Sequence, residues 1–262
     1  MSEDFLVARK DGIATITINR PQQRNAISYS MWRELREIAE GLHNDPSLRL
    51  VVFTGAGDQA FSAGGDIRDF ETYRSNSAQA SVYNTALEEA LRAVEDIPCP
   101  TISVVKGYCV GGGCELAVFT DLRVATDGSR FGVTPARLGI VLEPYALQRL
   151  IQLLGPGGAK VLLLTARFLD AHQALRMGLV DWVLPAEEID AFAEKLITEV
   201  SALAPFSHRS HKRLIRSILE NPGLRNVPSE ERELVLRAFD TQDFHEGRRA
   251  FQEKRPPVFK GL

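Results

Sequence analysis

The chain has 262 residues, 44% of them hydrophobic and 25% charged, and a formal net charge of −3. That length can bury one large core with a small appended unit, and the charge provides no global basic field to recruit nucleic acid or an anionic membrane. The opening MSEDFLVARKDG is acidic and lacks a long apolar core, which argues against a signal peptide, and no apolar run approaches the ~20 residues that span a bilayer.

Residues 5–9 and 13–19 alternate apolar and polar around Asp11–Gly12, a β-hairpin pattern. The polar loop NRPQQRNAIS follows, with Pro21 as a breaker. Ser28 is placed to cap a helix over 31–43, where Met31, Leu35, Ile38 and Leu42 recur at helical spacing. The run LVVF at 50–53 reads as a strand buried on both faces. A glycine-rich stretch comes next, with Gly55, Gly57, Gly64 and Gly65, and a helix is expected to start near Asp66. The polar piece 72–81 reads as mobile, and 82–97 as helix with Leu87, Leu91 and Val94 on one side.

A second strand–glycine–helix junction occupies 101–121, TISVVKGYCVGGGCELAVFTD. Glycines there let the backbone approach a ligand closely. The first amides of the following helix have no internal partner and sit at the positive end of its dipole. They suit an oxygen that becomes anionic during a reaction. Glu115 lies one helical turn beyond Gly112, so its carboxylate is expected on the same face. Strands 50–53 and 101–105 can share a parallel sheet joined through the helix at 82–97, which would let the two glycine turns converge.

Short strands are expected at 122–126, 130–133 and 180–184, and helices at 145–154, 157–166, 170–177, 187–203, 205–220 and 229–241. The expectation is an α/β core over 1–200 with a helical region at 201–262. No fixed repeat is visible. Cys99, Cys109 and Cys114 are odd in number and form no CxxC pair, which fits a reducing cytoplasm, with Cys109 and Cys114 as small buried residues. His208 and His211 lack further ligands for a metal site.

The chain resembles the crotonase, or enoyl-CoA hydratase/isomerase, superfamily. The resemblance rests on ITINRPQQRNAIS (16–28), AFSAGGDI (60–67), GYCVGGGCELA (107–117), FGVTPARLGI (131–140), ARFLDAHQALRMGLVDWVL (166–184) and FHEGRRAFQEKRPPVFKG (244–261), in the family's order. It implies a spiral of β-β-α turns with a C-terminal helical region used for trimer contacts, and a homotrimer or homohexamer. It implies an acyl-CoA substrate, coenzyme A being part of the substrate, with no tightly bound cofactor. The thioester oxygen would be held by the amides of Gly65 and Gly112. Arg24 and Ala26 would meet the phosphates or pantetheine of the CoA, and Ala63, Asp66 and Ile67 the adenine and pantetheine arm.

The same resemblance makes the acids decisive. Family hydratases activate water with two glutamates. Glu115 matches the first, whereas Ala136 stands at the second place and cannot transfer a proton. Glu143, where relatives that isomerise or dehalogenate carry an aspartate, becomes the alternative partner. It reads equally as a first-turn acid beside Pro144. Val141, Leu142 and Tyr145 are expected to line an apolar pocket around it. Isomerisation is therefore expected over simple hydration. A decarboxylase or hydrolase on the same scaffold, or a non-catalytic CoA-binding homologue, is the alternative.

Overall fold

A computed structural model describes residues 3–262. It begins with β1 (Phe5–Lys10), β2 (Ile13–Ile18), α1 (Tyr29–His43), β3 (Leu50–Gly55), β4 (Ala60–Ser62), α2 (Asp69–Tyr73) and α3 (Ser77–Glu95). It continues with β5 (Thr101–Val105), β6 (Tyr108–Val110), α4 (Gly112–Phe119), β7 (Leu122–Thr126), β8 (Arg130–Gly132) and α5 (Pro144–Thr165). The remainder is β9 (Leu169–Asp170), α6 (Ala171–Arg176), β10 (Trp182–Leu184), α7 (Ile189–Ser201), α8 (Pro205–Glu220), α9 (Ser229–Arg237) and α10 (Gln242–Glu253). Two compact units result. One comprises the chain up to Ile97 together with Thr101–Ala193, and the other Pro98–Pro100 with Glu194–Leu262. The division falls after Ala193, inside α7.

In the larger unit, six strands form one sheet in the order β1-β2-β3-β5-β7-β10, and four short strands form a second in the order β4-β6-β8-β9. Among the described residues only β1/β2 and β8/β9 pair antiparallel. The chain therefore repeats one move: a strand in the large sheet, a short strand in the small sheet, then a helix. It does so at β3-β4-α3, β5-β6-α4 and β7-β8-α5. These turns differ in length, which is why no sequence period marks them. All of β5 and the first four residues of β3 are buried, consistent with apolar runs covered on both faces. Ser28 caps α1 by accepting from Met31 N, and α1 buries Met31, Trp32, Leu35, Ala39 and Leu42. Its neighbour α3 buries Tyr83, Leu87, Leu91 and Val94.

Two expectations fail locally. No helix starts at Asp66, because its carboxylate accepts from Arg68 N at 3.1 Å and holds a turn there, so α2 begins at Asp69. The piece 72–81 is not a mobile linker throughout. Asn76 caps α3 by accepting from Gln79 N at 3.0 Å, and helix runs from Ser77. The smaller unit holds itself together with ion pairs and its own tail. Arg213 Nε meets Glu231 Oε1 at 2.6 Å, and Asp243 accepts from the amides of Lys260 and Gly261 at 2.7 and 2.8 Å. Ile215, Leu219, Leu236, Phe239 and Phe251 of this unit are exposed in the isolated chain.

Candidate active site

The glycine turns leave the small sheet, not the large one. Strands β4 and β6 lie side by side in parallel, with Ala60 opposite Tyr108 and Ser62 opposite Cys109. Both therefore run out at the same edge, one into Ala63–Gly64–Gly65 and the other into Gly111–Gly112.

Hydrogen bonding then decides which amides stay free. Ile27 N donates to Gly64 O at 2.8 Å, and Asp66 N donates to Ile27 O at 3.0 Å. In such a parallel bridge the intervening residue turns its own amide the other way, so Gly65 N–H faces away from the 24–27 loop. Gly64 N is taken by Ser62 Oγ at 3.2 Å. On the second strand Gly111 N donates to Gly132 O at 2.8 Å, and Gly112 opens α4 with no earlier carbonyl to reach. Among the described residues neither Gly65 N nor Gly112 N donates to any acceptor. Gly64 (φ +99°) and Gly111 (φ +50°) supply the positive φ that these turns need.

The free amides are neighbours. A Cβ on Gly112 would stand 3.7 Å from Gly65 N. A residue's N and Cβ are about 2.5 Å apart, so the two nitrogens lie at most about 6 Å from each other. One oxygen accepting from both at about 2.9 Å tolerates nitrogens up to about 5.8 Å apart, which is most of the range that this bound allows.

Glu115 sits in the first turn of α4, 9% exposed, with its amide bonded to Gly111 O at 2.9 Å. Burial pushes its carboxyl up to about 7, the Arg74 guanidinium opposes that, and the charge of Glu143 adds to it. The two acids are thus electrostatic neighbours. Glu143 is the residue before α5, but its carboxylate caps nothing, because the Asn84 amide of α3 donates to it. The apolar pocket expected around it is not built as expected. Val141 is 89% exposed, and Tyr145 spends its hydroxyl on Glu95 while packing on Phe119. Ala136 lies in a short helical turn at Pro135–Leu138 with no acid in its first turn.

The proposed CoA residues fall on one rim. Ala63 N donates to Arg24 O at 2.9 Å, so the 24–27 loop and the 63–67 turn run together. Arg24, Ala63 and Ile67 are exposed there, and Ala26 is half-buried. Asp66 belongs to the same turn. It is buried, and its carboxylate is held by Arg68 at 2.7 Å and Arg20 at 3.0 Å, which keep it well below the usual carboxylate range. Its side chain fixes the turn and does not reach out of it. Arg20 also donates to Ala26 O at 2.8 Å.

Four site residues escape a reading of the chain alone. Trp32 packs its ring where a Cβ on Gly112 would come within 2.9 Å, and its Nε1 donates to Tyr83 Oη at 3.0 Å. The Arg74 guanidinium lies over the Tyr83 ring at 4.6 Å and over Phe70 at 5.0 Å. Asn84 holds Glu143. In sequence Trp32, Tyr83 and Asn84 are ordinary members of amphipathic helices and Arg74 falls in a polar stretch, and only the polar Asn84 within an otherwise packed face hints at a partner.

Comparison with known proteins agrees with this architecture. The enoyl-CoA hydratase/isomerase family model matches residues 8–262. The chain is 32% identical over 257 residues to the crotonyl-CoA hydratase of Syntrophomonas wolfei, covering 98% of both chains. It is 33% identical over 264 residues to the carnitinyl-CoA dehydratase of Citrobacter koseri, covering 100% of both. Among solved structures, an enoyl-CoA hydratase/carnithine racemase from Magnetospirillum magneticum superposes with a TM-score of 0.95 at 36% identity, covering 100% of this chain and 97% of that one. The strand–strand–helix spiral is the crotonase fold, and the chain belongs to the enoyl-CoA hydratase/isomerase family of the crotonase superfamily.

Proposed function

We propose that the protein processes an acyl-CoA, stabilising a thioester enolate with the amides of Gly65 and Gly112 and moving protons with Glu115 and Glu143. The observation that carries this reading is the pair of unclaimed amides, at most about 6 Å apart, beside two acids close enough for the charge of one to act on the other. Donors aimed at a developing oxyanion in a dry site are each worth about 3 kcal/mol of barrier. The CoA would lie along the rim of Arg24, Ala26, Ala63 and Ile67, with Asp66 bracing the turn. Several similar proteins carry the names of enzymes acting on CoA thioesters, which supports the substrate class.

Isomerisation is preferred to hydration, since Ala136 cannot help to activate water. In a β,γ-enoyl-CoA the Glu143 carboxylate would take the proton alpha to the thioester, leaving a dienolate whose oxygen is held by the two amides. Glu115, protonated through much of the range below pH 7, would deliver a proton to the gamma carbon. Proton exchange through solvent restores both acids. The names of the relatives favour hydration as the second reading.

Initial rates on crotonyl-CoA and on a β,γ-enoyl-CoA separate the two, measured for wild type, Glu115→Gln and Glu143→Gln. Isomerisation lost in both variants is expected. Fast hydration that vanishes only in Glu115→Gln refutes the isomerase assignment, and release of carbon dioxide or free CoA would point to a decarboxylase or a hydrolase. The protein is further proposed to act in the cytoplasm as a homotrimer or homohexamer. The exposed Ile215, Leu219, Leu236, Phe239 and Phe251 of the helical unit offer apolar area for a second copy.

A further inference from the structure

The geometry points to Tyr83 as a third hydrogen-bond donor of the site, its hydroxyl proton directed at the thioester oxygen that Gly65 and Gly112 hold. This rests on the reading above and extends it by one catalytic residue. Tyr83 is 1% exposed, yet it is not an ordinary core tyrosine. Its oxygen lies 3.3 Å from where a Cβ on Gly65 would be. The Trp32 indole N–H already occupies one lone pair of that oxygen at 3.0 Å, so the hydroxyl proton must point away from the indole.

Among the described residues that proton reaches no acceptor, and a buried donor left over in this way calls for one. The Trp32 ring abuts Gly112 within 2.9 Å of a Cβ position, so the Trp32–Tyr83 pair touches both amide-bearing glycines at once. The charged groups close enough to act on the phenol are Arg74, Asp69 and Glu115. None accepts from it, and burial keeps the phenol neutral, pushed up to about 12, so it remains a donor at any pH where the enzyme works. Accepting from Trp32 polarises the O–H and strengthens the bond that it donates.

Tyr83→Phe keeps the ring and deletes the donor. The probe is 4-(dimethylamino)cinnamoyl-CoA, whose absorption band moves to longer wavelength as its carbonyl is polarised. The expected result is a smaller red shift on binding to the variant, with kcat on the enzyme's best enoyl-CoA lowered about 10- to 100-fold and KM changed by less than about threefold. An unchanged red shift, or kcat within a factor of about two, overturns the assignment. If the variant does not fold by circular dichroism, 3,5-difluorotyrosine at position 83 keeps both the packing and the acceptor for Trp32 while making the hydroxyl a stronger donor. A larger red shift is then expected, and an unchanged one overturns the proposal. If wild type neither binds the probe nor turns over any enoyl-CoA, the acyl-CoA reading falls and takes this proposal with it. Binding with an equal red shift in wild type and variant removes Tyr83 alone.

Discussion

Replacing Glu115 by glutamine removes a buried ionisable group while keeping its shape, and the stability consequence can be worked from the structure. Glu115 is buried in α4, and its carboxyl titrates near 7 in the fold instead of 4.5. Between those values the folded state holds a proton that the unfolded state has released. Folding stability therefore falls as pH rises across the window and is fully present only below about 4.5. A shift of about 2.5 units at 1.36 kcal/mol each corresponds to about 3 kcal/mol lost by wild type above pH 7. Glu115→Gln carries no such loss. The two proteins should match near pH 4.5, and by pH 8.5 the variant should be the more stable by about 3 kcal/mol, or roughly 6 °C in melting temperature. Urea or thermal unfolding at half-unit steps from pH 4.5 to 8.5 measures the difference. A stability difference that stays constant with pH would show that Glu115 is not ionised against its burial, and the acid role assigned to it would go as well.

Substitutions at two other positions probe the amide pair and the acid pair. Gly112→Ala places a methyl 2.9 Å from Trp32 Cζ2 and 3.7 Å from Gly65 N; kcat should fall about 100-fold or more, and steady-state turnover within threefold of wild type would remove Gly112 from the chemistry. Asn84→Ala leaves Glu143 without the amide that orients it, lowering kcat about 10-fold, and Asn84→Asp should lower it further by setting a like charge there. Rate–pH profiles for the three proteins report this, and superimposable profiles would make the Asn84 contact merely structural.

Much of this arrangement is legible in the chain. Apolar runs such as 50–53 and 101–105 announce buried strands, and two of the helices, α1 and α8, start within two residues of where capping and proline place them. The glycine stretches also announce backbone exposed at strand ends. What stays hidden has a common cause, since β4, β6 and β9 are only two or three residues long and show no alternation to read. Without those strands, the turns are assigned to the wrong sheet. Asp66 looks like a helix start because an acid after glycines usually is one, and only the fold reveals Arg20, 46 residues earlier, as its partner. The roles of Tyr83 and Asn84 stay hidden for the same reason as that of Asp66: each is chosen by a neighbour far along the chain, Trp32 and Glu143.

The parallel pairing of β4 with β6 has a wider consequence. Because the proposed oxygen-binding groups are main-chain amides brought together by ladder register, no single side-chain exchange on the acids can remove them. On the proposed function, the electrophile-activating half of the site is thereby insulated from its proton-moving half. Carboxylates can be relocated among positions such as 115, 136 and 143 to redirect what happens to the enolate, while the machinery that makes the enolate accessible stays in place. A library that varies those three sites with both glycine turns held constant would sample different reactions on one substrate class, and most of its members should still fold.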